Sequence, residues 1–338
     1  MEQLTEHIEI RNDLFNVTEN NFEKLALRIF RFQYAQNIFY RKYCDTARTD
    51  IENIQTIQQI PFLPIQFFKS KEITSTLFEP ETIFESSGTT GSVNSKHFLK
   101  DSSLYEQSFL KAFDLFYGDI TAYCIIGLLP SYLERKNSSL IWMVNEFIKK
   151  TRHPQSGFYL YDFEKLKQLL ILNEEKQQQT LLIGVTYALL DFFEDNPMKL
   201  RYTTIMETGG MKGRREELTR TEIHRQLMKQ SGTNEVHSEY GMTELLSQAY
   251  SKKDGIFQCP PWMKVLLRSE DDPFEIYLAS RLNKPFTNGV INVIDFANLY
   301  SCSFIATDDM GKLYKNGSFE ILGRMDNSDV RGCSLMFV

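Results

Sequence analysis

Two short apolar runs and a third strand-like segment, each leading into a turn or into residues with helical spacing, constrain this chain more than any other feature of its sequence. Residues 122–129 are continuously apolar and are closed by Pro130. Residues 181–185 run into a helical pattern over 187–193, and residues 203–207 end at Thr208-Gly209-Gly210. Unbroken apolar runs of this length are expected of strands covered on both faces, the condition of a parallel sheet between helices. Helical spacing recurs over 140–149, 163–172 and 221–230, and Val236 closes a further strand just before Glu239-Tyr240-Gly241. The stretch 80–245 therefore predicts an α/β sheet covered by helices.

The flanks read differently. Residues 22–43 place Phe22, Leu25, Ile29, Phe30 and Ile38 among charges, which predicts one amphipathic helix. Residues 61–68 form a Pro-punctuated apolar loop, and 82–84 a short strand. Asp101-Ser102-Ser103 offers N-cap side chains for a helix to about Tyr117. Beyond 250, the stretches 275–279, 290–294, 304–307 and 318–322 read as short strands separated by turns. The expected organisation is a helical segment over 1–60, an α/β core over 61–250 and a β-rich subdomain over 251–338.

Composition narrows the function. Hydrophobic residues make up 42% and charged residues 24%, which excludes a disordered chain. With 38 Lys and Arg against 44 Asp and Glu the net charge is −6, so nothing draws the chain to nucleic acid or an anionic membrane surface. The start, Met1 to Glu6, lacks the basic and apolar parts of a signal peptide, and the longest apolar run is far too short to span a bilayer. The cysteines are Cys44, Cys124, Cys259, Cys302 and Cys333. Their odd number and the lack of any C-x-x-C pattern argue against a disulfide framework or structural zinc, and the expectation is reduced thiols in the cytoplasm. Cys124 and Cys302 fall in apolar strand patterns and are expected in the core; Cys259 precedes two prolines in a loop.

The densest polar turn is Ser86-Ser87-Gly88-Thr89-Thr90-Gly91, two glycines and four hydroxyls between a strand and a helix. Glycines let backbone N–H groups turn inward, and hydroxyls add donors, which suits a phosphate group. It is neither a Walker A loop nor a G-x-G-x-x-G fingerprint. A plain surface turn has the same composition, and Lys96 shortly after it is either a phosphate partner or a solvated cation.

Three further segments follow in order: Thr208-Gly209-Gly210; His237-Ser238-Glu239-Tyr240-Gly241-Met242-Thr243-Glu244; and Ala306-Thr307-Asp308-Asp309-Met310-Gly311 with Gly323-Arg324-Met325-Asp326. With the first turn, this series resembles the adenylate-forming superfamily. The phrase Glu207-Thr208-Gly209-Gly210-Met211-Lys212-Gly213 and the ending Arg331-Gly332-Cys333-Ser334 are similar to its acyl-protein synthetase family, fatty-acid-activating ligases that feed an acyl reductase. The resemblance covers roughly residues 60–338.

The resemblance implies a fold and a set of roles. The fold is the N-terminal domain of an adenylate-forming enzyme, with helix-covered mixed sheets, a β-rich C-terminal part and the mobile C-terminal domain largely absent. Ser86, Ser87, Gly88, Thr89, Thr90 and Gly91 would close over the pyrophosphate part of ATP. Gly209 and Gly210 would let adenine lie on bare backbone, with Tyr240 stacking and Gly241 beside it. Thr243 would donate to the α-phosphate and Glu244 would help hold Mg²⁺. Asp309, or alternatively Asp308, would accept from the ribose hydroxyls, and Arg324 would donate to them. The family's usual Thr-Gly-Asp reads Thr-Asp-Asp here, which is why both acids stand. Each residue also has an ordinary reading: a core aromatic for Tyr240, a first-turn carboxylate for Glu244, turn acids for Asp308 and Asp309, a surface base for Arg324. His237 would line the acyl pocket or serve at a strand end.

Larger members of the superfamily carry a further domain with a catalytic lysine. After Arg324 the sequence runs to Val338 without a lysine, which leaves Lys96, Lys212 and Arg214 as candidate cations. Cys333 then becomes the implied acyl carrier: its thiolate, with Arg331 nearby, would attack the acyl adenylate and hold the acyl group as a thioester. Otherwise Cys333 is a free thiol in an apolar terminal stretch. The expected partners are a carboxylic acid, a fatty acid by resemblance, and an acyl-CoA-reductase-like or carrier protein as acceptor. Two other readings remain open: direct delivery to CoA or a carrier thiol, and a nucleotide-binding scaffold without catalysis.

Overall fold

The computed structural model describes residues 2–47, 50–86, 93–129, 137–160, 162–209 and 218–325, with side chains from His7 onward. Helices α1 (Glu2–Asp13), α2 (Glu19–Gln36) and α3 (Ile38–Thr46) come first, then the two-residue strand β1 (Leu63–Pro64) and the single helical turn α4 (Phe67–Ser70). A hairpin of β2 (Thr82–Glu85) and β3 (Lys96–Leu99) precedes helix α5 (Ser102–Tyr117). The alternating unit follows: β4 (Cys124–Leu128), α6 (Ser139–Thr151), β5 (Gly157–Phe158), α7 (Phe163–Glu175), β6 (Thr180–Val185), α8 (Thr186–Asp195), β7 (Thr203–Thr208), α9 (Arg220–Ser231) and β8 (His237–Tyr240). Seven strands complete the chain: β9 (Ala249–Ser251), β10 (Phe257–Gln258), β11 (Met263–Arg268), β12 (Ile276–Tyr277), β13 (Phe286–Asp295), β14 (Phe304–Tyr314) and β15 (Phe319–Arg324).

One sheet joins the two halves, in the order β12-β11-β13-β14-β15-β10-β9-β8-β7-β6-β4-β5. From β5 to β8 every pairing is parallel; from β8 to β12 every pairing along this path is antiparallel. The apolar runs are the parallel strands: every residue of β4 and β6 is buried. Helix starts fall where side chains satisfy the first free N–H groups. Asp101 accepts from Ser103 N at 3.0 Å, and Thr219 with Glu222 forms a capping box that opens α9.

The helix expected over 22–43 is two helices. Asn37 interrupts it with an extended backbone, accepting from Tyr40 N at 2.9 Å and donating from Nδ2 to Ser301 O at 3.0 Å. A buried amide must have its partners, and this one finds them only by breaking the helix. The expected strands 290–294 and 304–307 are also the inner parts of longer ones. Their outer arms pair on from Val290↔Met310 to Phe286↔Tyr314. There β14 alternates between buried and half-buried residues, so no apolar run marks it.

Candidate functional site

The carboxyl ends of parallel strands lie along one edge, and the register fixes which residues share it. Val185 pairs with Thr208, and Thr208 pairs with Glu239. The next residues, Thr186, Gly209 and Tyr240, therefore stand side by side where an open α/β sheet places its ligands. Gly209 has φ +70, a left-handed conformation that glycine adopts freely. The Thr186 hydroxyl, 3.0 Å from Gly209 O and 3.2 Å from Glu207 Oε2, ties the turn to β6.

Two buried carboxyls sit beneath this edge and differ in charge preference. Burial pushes Glu207 up, but hydrogen bonding by His224 and the charge of Arg220 bring it below the ordinary carboxylate range. Arg220 Nε is 3.2 Å from Glu207 Oε1, and His224 Nε2 is 3.6 Å from the same oxygen. Glu239 is pushed up to about 7 by burial, opposed by the hydroxyl of Thr208 and assisted by the charge of Glu207. The Thr208 hydroxyl donates to Glu239 Oε2, and Glu239 Oε1 presses on Gly241, where a Cβ would lie 2.3 Å from it.

Tyr240 reaches across to the antiparallel half. Its hydroxyl donates to Asp309 Oδ2 at 2.8 Å, and Arg324 Nε donates to Asp309 Oδ1 at 3.2 Å. Asp309 and Arg324 are cross-strand partners in β14 and β15. The Asp309 side chain is nearly buried, while that of Arg324 is 82% exposed, so the guanidinium is presented outward from an anchored carboxylate. The Tyr240 ring is held edge-on by Phe257 and Phe319. The neighbouring Asp308 accepts from Gln66 Nε2, and its carbonyl accepts from Met325 N at 2.9 Å.

The turn after Tyr240 is fixed from below. Asp295, fully buried, accepts from Leu246 N and Ser247 N at 2.8 Å each and from the Ser247 hydroxyl at 2.6 Å. Asn298 Nδ2 donates to Glu244 O at 2.8 Å. His97 Nδ1 donates to Thr243 O at 2.9 Å, which leaves Nε2 to accept from the Ser301 hydroxyl at 2.8 Å. Burial moves His97 down to about 4, so it is neutral at physiological pH. The Glu244 carboxyl is buried and shifted upward by that burial, against the pull of Ser95, Arg324 and Lys69.

Among the residues expected at a nucleotide site, Tyr240, Asp309 and Arg324 are joined by hydrogen bonds, Gly209 ends the strand beside Tyr240, and Gly241, Thr243 and Glu244 belong to the turn that follows it. Ser86 lies at the neck of its turn, where Ser86 N donates to Ser95 O at 3.0 Å and Ser95 N to Ser86 Oγ at 2.8 Å. Ser87, Gly88, Thr89, Thr90, Gly91, Gly210, Lys212, Arg214 and Cys333 lie outside the described residues. Lys96 is 3.8 Å from Glu85. His237 serves at its strand, accepting from Tyr117 OH at 3.1 Å and facing Glu235 at 3.3 Å. Cys124 and Cys302 are buried, as expected, and burial pushes Cys259 up to about 12. The sequence did not single out His97, whose partners Thr243 and Ser301 are distant in the chain.

Solved structures agree with this chain in fold. ATP-bound MatB from Rhodopseudomonas palustris superposes with a TM-score of 0.54 at 17% identity over 74% of this chain and 50% of its own. A 2-hydroxyisobutyryl-CoA ligase in complex with 2-HIB-AMP gives 0.64 at 11% identity over 91% of this chain and 69% of its own. The chain therefore spans about half the length of the first and about two thirds of the second. Family membership is narrower. The model of the acyl-protein synthetase family, LuxE, matches residues 13–338, and the chain belongs to that family of ligases. The long-chain-fatty-acid–luciferin-component ligase of Aliivibrio fischeri is 26% identical over 93% of this chain and 86% of its own length. Its counterpart from Photorhabdus luminescens is 41% identical over 20% of this chain. No helix among the described residues is long and apolar enough to cross a membrane.

Proposed function

We propose that this protein activates a fatty acid with ATP, carries the acyl group on Cys333 and passes it to the thiol of a partner reductase or carrier protein. A substrate carboxylate oxygen attacks the α-phosphorus of ATP, and the bond to pyrophosphate breaks. The Cys333 thiolate then attacks the acyl carbon, AMP leaves, and a thioester remains. The thiol proton goes to solvent. The observation that carries this reading is the link between Tyr240 and Asp309, which brings two motifs of the expected nucleotide site onto one edge with Gly209, Thr243 and Glu244. The relatives' name, long-chain-fatty-acid–luciferin-component ligase, supports the fatty acid.

In this reading Gly209 and Gly210 leave room for adenine, and Asp309 and Arg324 meet the ribose. Ser86 to Gly91 close over the phosphates, and Thr243 donates to the α-phosphate. Glu244 fits Mg²⁺ as one carboxylate, because this ion is commonly held by one or two carboxylates with phosphate and water completing its shell. No cluster of three metal-ligating side chains exists among the described residues, so the phosphates must supply the rest. When bound, Mg²⁺ supplies charge neutralisation for the departing pyrophosphate. The cytoplasm, where thiols stay reduced, suits a thioester carrier.

The test is the intact mass of the protein after incubation with ATP, Mg²⁺ and a panel of carboxylic acids. Wild type is expected to gain one acyl group, released by hydroxylamine, and Cys333→Ser to gain none. Retention on the variant would remove Cys333 from the mechanism. Absence of carboxylate-dependent exchange between pyrophosphate and ATP with every acid would remove the activation step itself.

A further inference from the structure

Two successive carbonyls in the turn after Tyr240 are held by side chains. Asn298 Nδ2 donates to Glu244 O at 2.8 Å, and His97 Nδ1 donates to Thr243 O at 2.9 Å. Asn298 belongs to the buried stretch 295–303, which also braces this turn through Asp295. His97 comes from elsewhere. It stands in β3, opposite Phe84 of β2, on the hairpin whose connecting turn begins at Ser86. The ring is fixed at its other nitrogen as well, where Nε2 accepts from the Ser301 hydroxyl at 2.8 Å. The Phe68 ring of α4 packs against it at 5.8 Å between centres. One buried imidazole therefore ties together the hairpin, the Thr243 turn and the 295–303 stretch.

Packing alone does not call for a histidine here. The neighbouring buried positions of the hairpin, Phe84 and Leu99, are filled by apolar side chains. An imidazole in the same layer must satisfy both nitrogens, or lose about 1–3 kcal/mol for each one left bare. What the ring gains for the fold is a hold on one particular carbonyl. That carbonyl belongs to the residue whose hydroxyl is assigned to the α-phosphate. Fixing it limits rotation of the backbone at Thr243, and with it the direction of the side chain. In a transfer that depends on alignment, misplacing a group by about 1 Å can cost roughly a hundredfold in rate.

We infer that His97 is a positioning residue for the activation step: by holding the Thr243 carbonyl it aims the Thr243 hydroxyl at the α-phosphate. The role rests on the ATP-dependent activation proposed above, and His97 itself touches no substrate. The experiment is exchange between pyrophosphate and ATP, with Mg²⁺ and with octanoate, dodecanoate or hexadecanoate as the acid. The proteins are wild type, His97→Asn, His97→Gln and Ser301→Ala. Asparagine places an N–H close to the position of Nδ1 and forfeits the reach to Ser301, whereas glutamine places its amide near Nε2 and forfeits the donor to Thr243. The expected kcat of His97→Gln is about tenfold or more below wild type, with KM for ATP within about twofold, and His97→Asn recovers most of the loss. Thermal melting followed by circular dichroism should rank the two the other way, since asparagine leaves the larger void and melts lower. Activity that follows melting temperature would overturn the assignment and make His97 an ordinary member of the core. Wild-type kcat in His97→Gln would overturn it too, as would a raised KM at unchanged kcat. Ser301→Ala keeps the ring and removes only the partner of Nε2, so it decides the matter if neither histidine variant folds. There a lowered kcat at unchanged KM supports the assignment, and wild-type kinetics overturns it. All these failures leave activation standing, because wild type still exchanges. A folded wild type that exchanges with none of the three acids would overturn fatty-acid activation, and this assignment with it.

Discussion

The hydroxyl of Tyr240 lies 2.8 Å from the carboxylate of Asp309, though four strand pairings separate β8 from β14 along the sheet. Neighbouring strands are roughly 4.8 Å apart, so a flat sheet would hold these two positions about 19 Å from each other. The sheet must therefore curl back on itself, and the Tyr240 ring fills the inside of the curl against Phe257 of β10 and Phe319 of β15. The parallel half carries Gly209 and Tyr240, the antiparallel half carries Asp309 and Arg324, and the curl brings Tyr240 and Asp309 together in one candidate site.

The first prediction separates the two ends of this contact. Tyr240→Phe keeps the packing but leaves Asp309 Oδ2 without its donor, at a cost of about 1–3 kcal/mol in urea unfolding. Arg324→Ala removes a side chain that is mostly in solvent, and stability should stay within about 0.5 kcal/mol. Nucleotide affinity should nonetheless fall in Arg324→Ala. If Arg324→Ala unfolds as easily as Tyr240→Phe, the guanidinium is a structural strut and does not face a ligand.

Glu239 gives a pH signature. Its folded-state value of about 7 stands above the ordinary carboxylate value, so folding takes up a proton between them. Stability from this group is present below the unfolded value and is lost as pH rises from about 4.5 through 7. Asp295, moved up to about 6 by burial, tilts the profile the same way, so the comparison must be between proteins that differ at one residue. The stability of Glu239→Gln relative to wild type should rise with pH across that window and level off above it. A pH-independent difference would show that Glu239 is ionised in the folded protein throughout.

Arg220 offers a third test. It donates toward Glu207 at 3.2 Å, reaches Ile321 O at 3.3 Å and lies over the Phe257 ring, so it couples the end of β7 to β15. Arg220→Leu strips a buried carboxylate of its full charge partner and should cost about 3 kcal/mol at pH 7. Adding Glu207→Gln removes the stranded charge and should recover part of that loss. Additive losses in a double-mutant cycle would show that the two side chains do not interact.

Much of the fold was legible because its parallel strands are buried on both faces. The runs over 122–129 and 181–185 announce themselves as apolar, and Asp101 marks a helix start. Strand β8 was harder, since three of its four buried residues, His237, Ser238 and Glu239, are polar and give no hydrophobic signal, and only Val236 pointed to it. The break at Asn37 was hidden for a related reason, because its partner Ser301 lies far along the chain. The candidate site was read from the sequence as motifs in order. Their pairings were not: a sequence shows Tyr240 and Asp309 as separate residues, and only the curl of the sheet joins them. His97 was invisible as a support of the Thr243 turn because its local context is ordinary and its partners are remote.

Gly241 supplies the last prediction. Its backbone is not in the left-handed region, so the need for glycine here is one of space. A Cβ would stand 2.3 Å from Glu239 Oε1 and 3.2 Å from Gln248 Cγ. An exposed carboxylate would swing away, but Glu239 is buried and accepts from Thr208, so moving it sacrifices that hydrogen bond. Gly241→Ala should therefore destabilise by about 1–3 kcal/mol, as overpacking commonly does. Glu239→Ala opens the space that the new methyl group needs, so in that background Gly241→Ala should cost much less. The relief is an interaction energy, read from the four proteins of a double-mutant cycle in urea. If Gly241→Ala costs the same in both backgrounds, the close approach of Glu239 is not what requires glycine there.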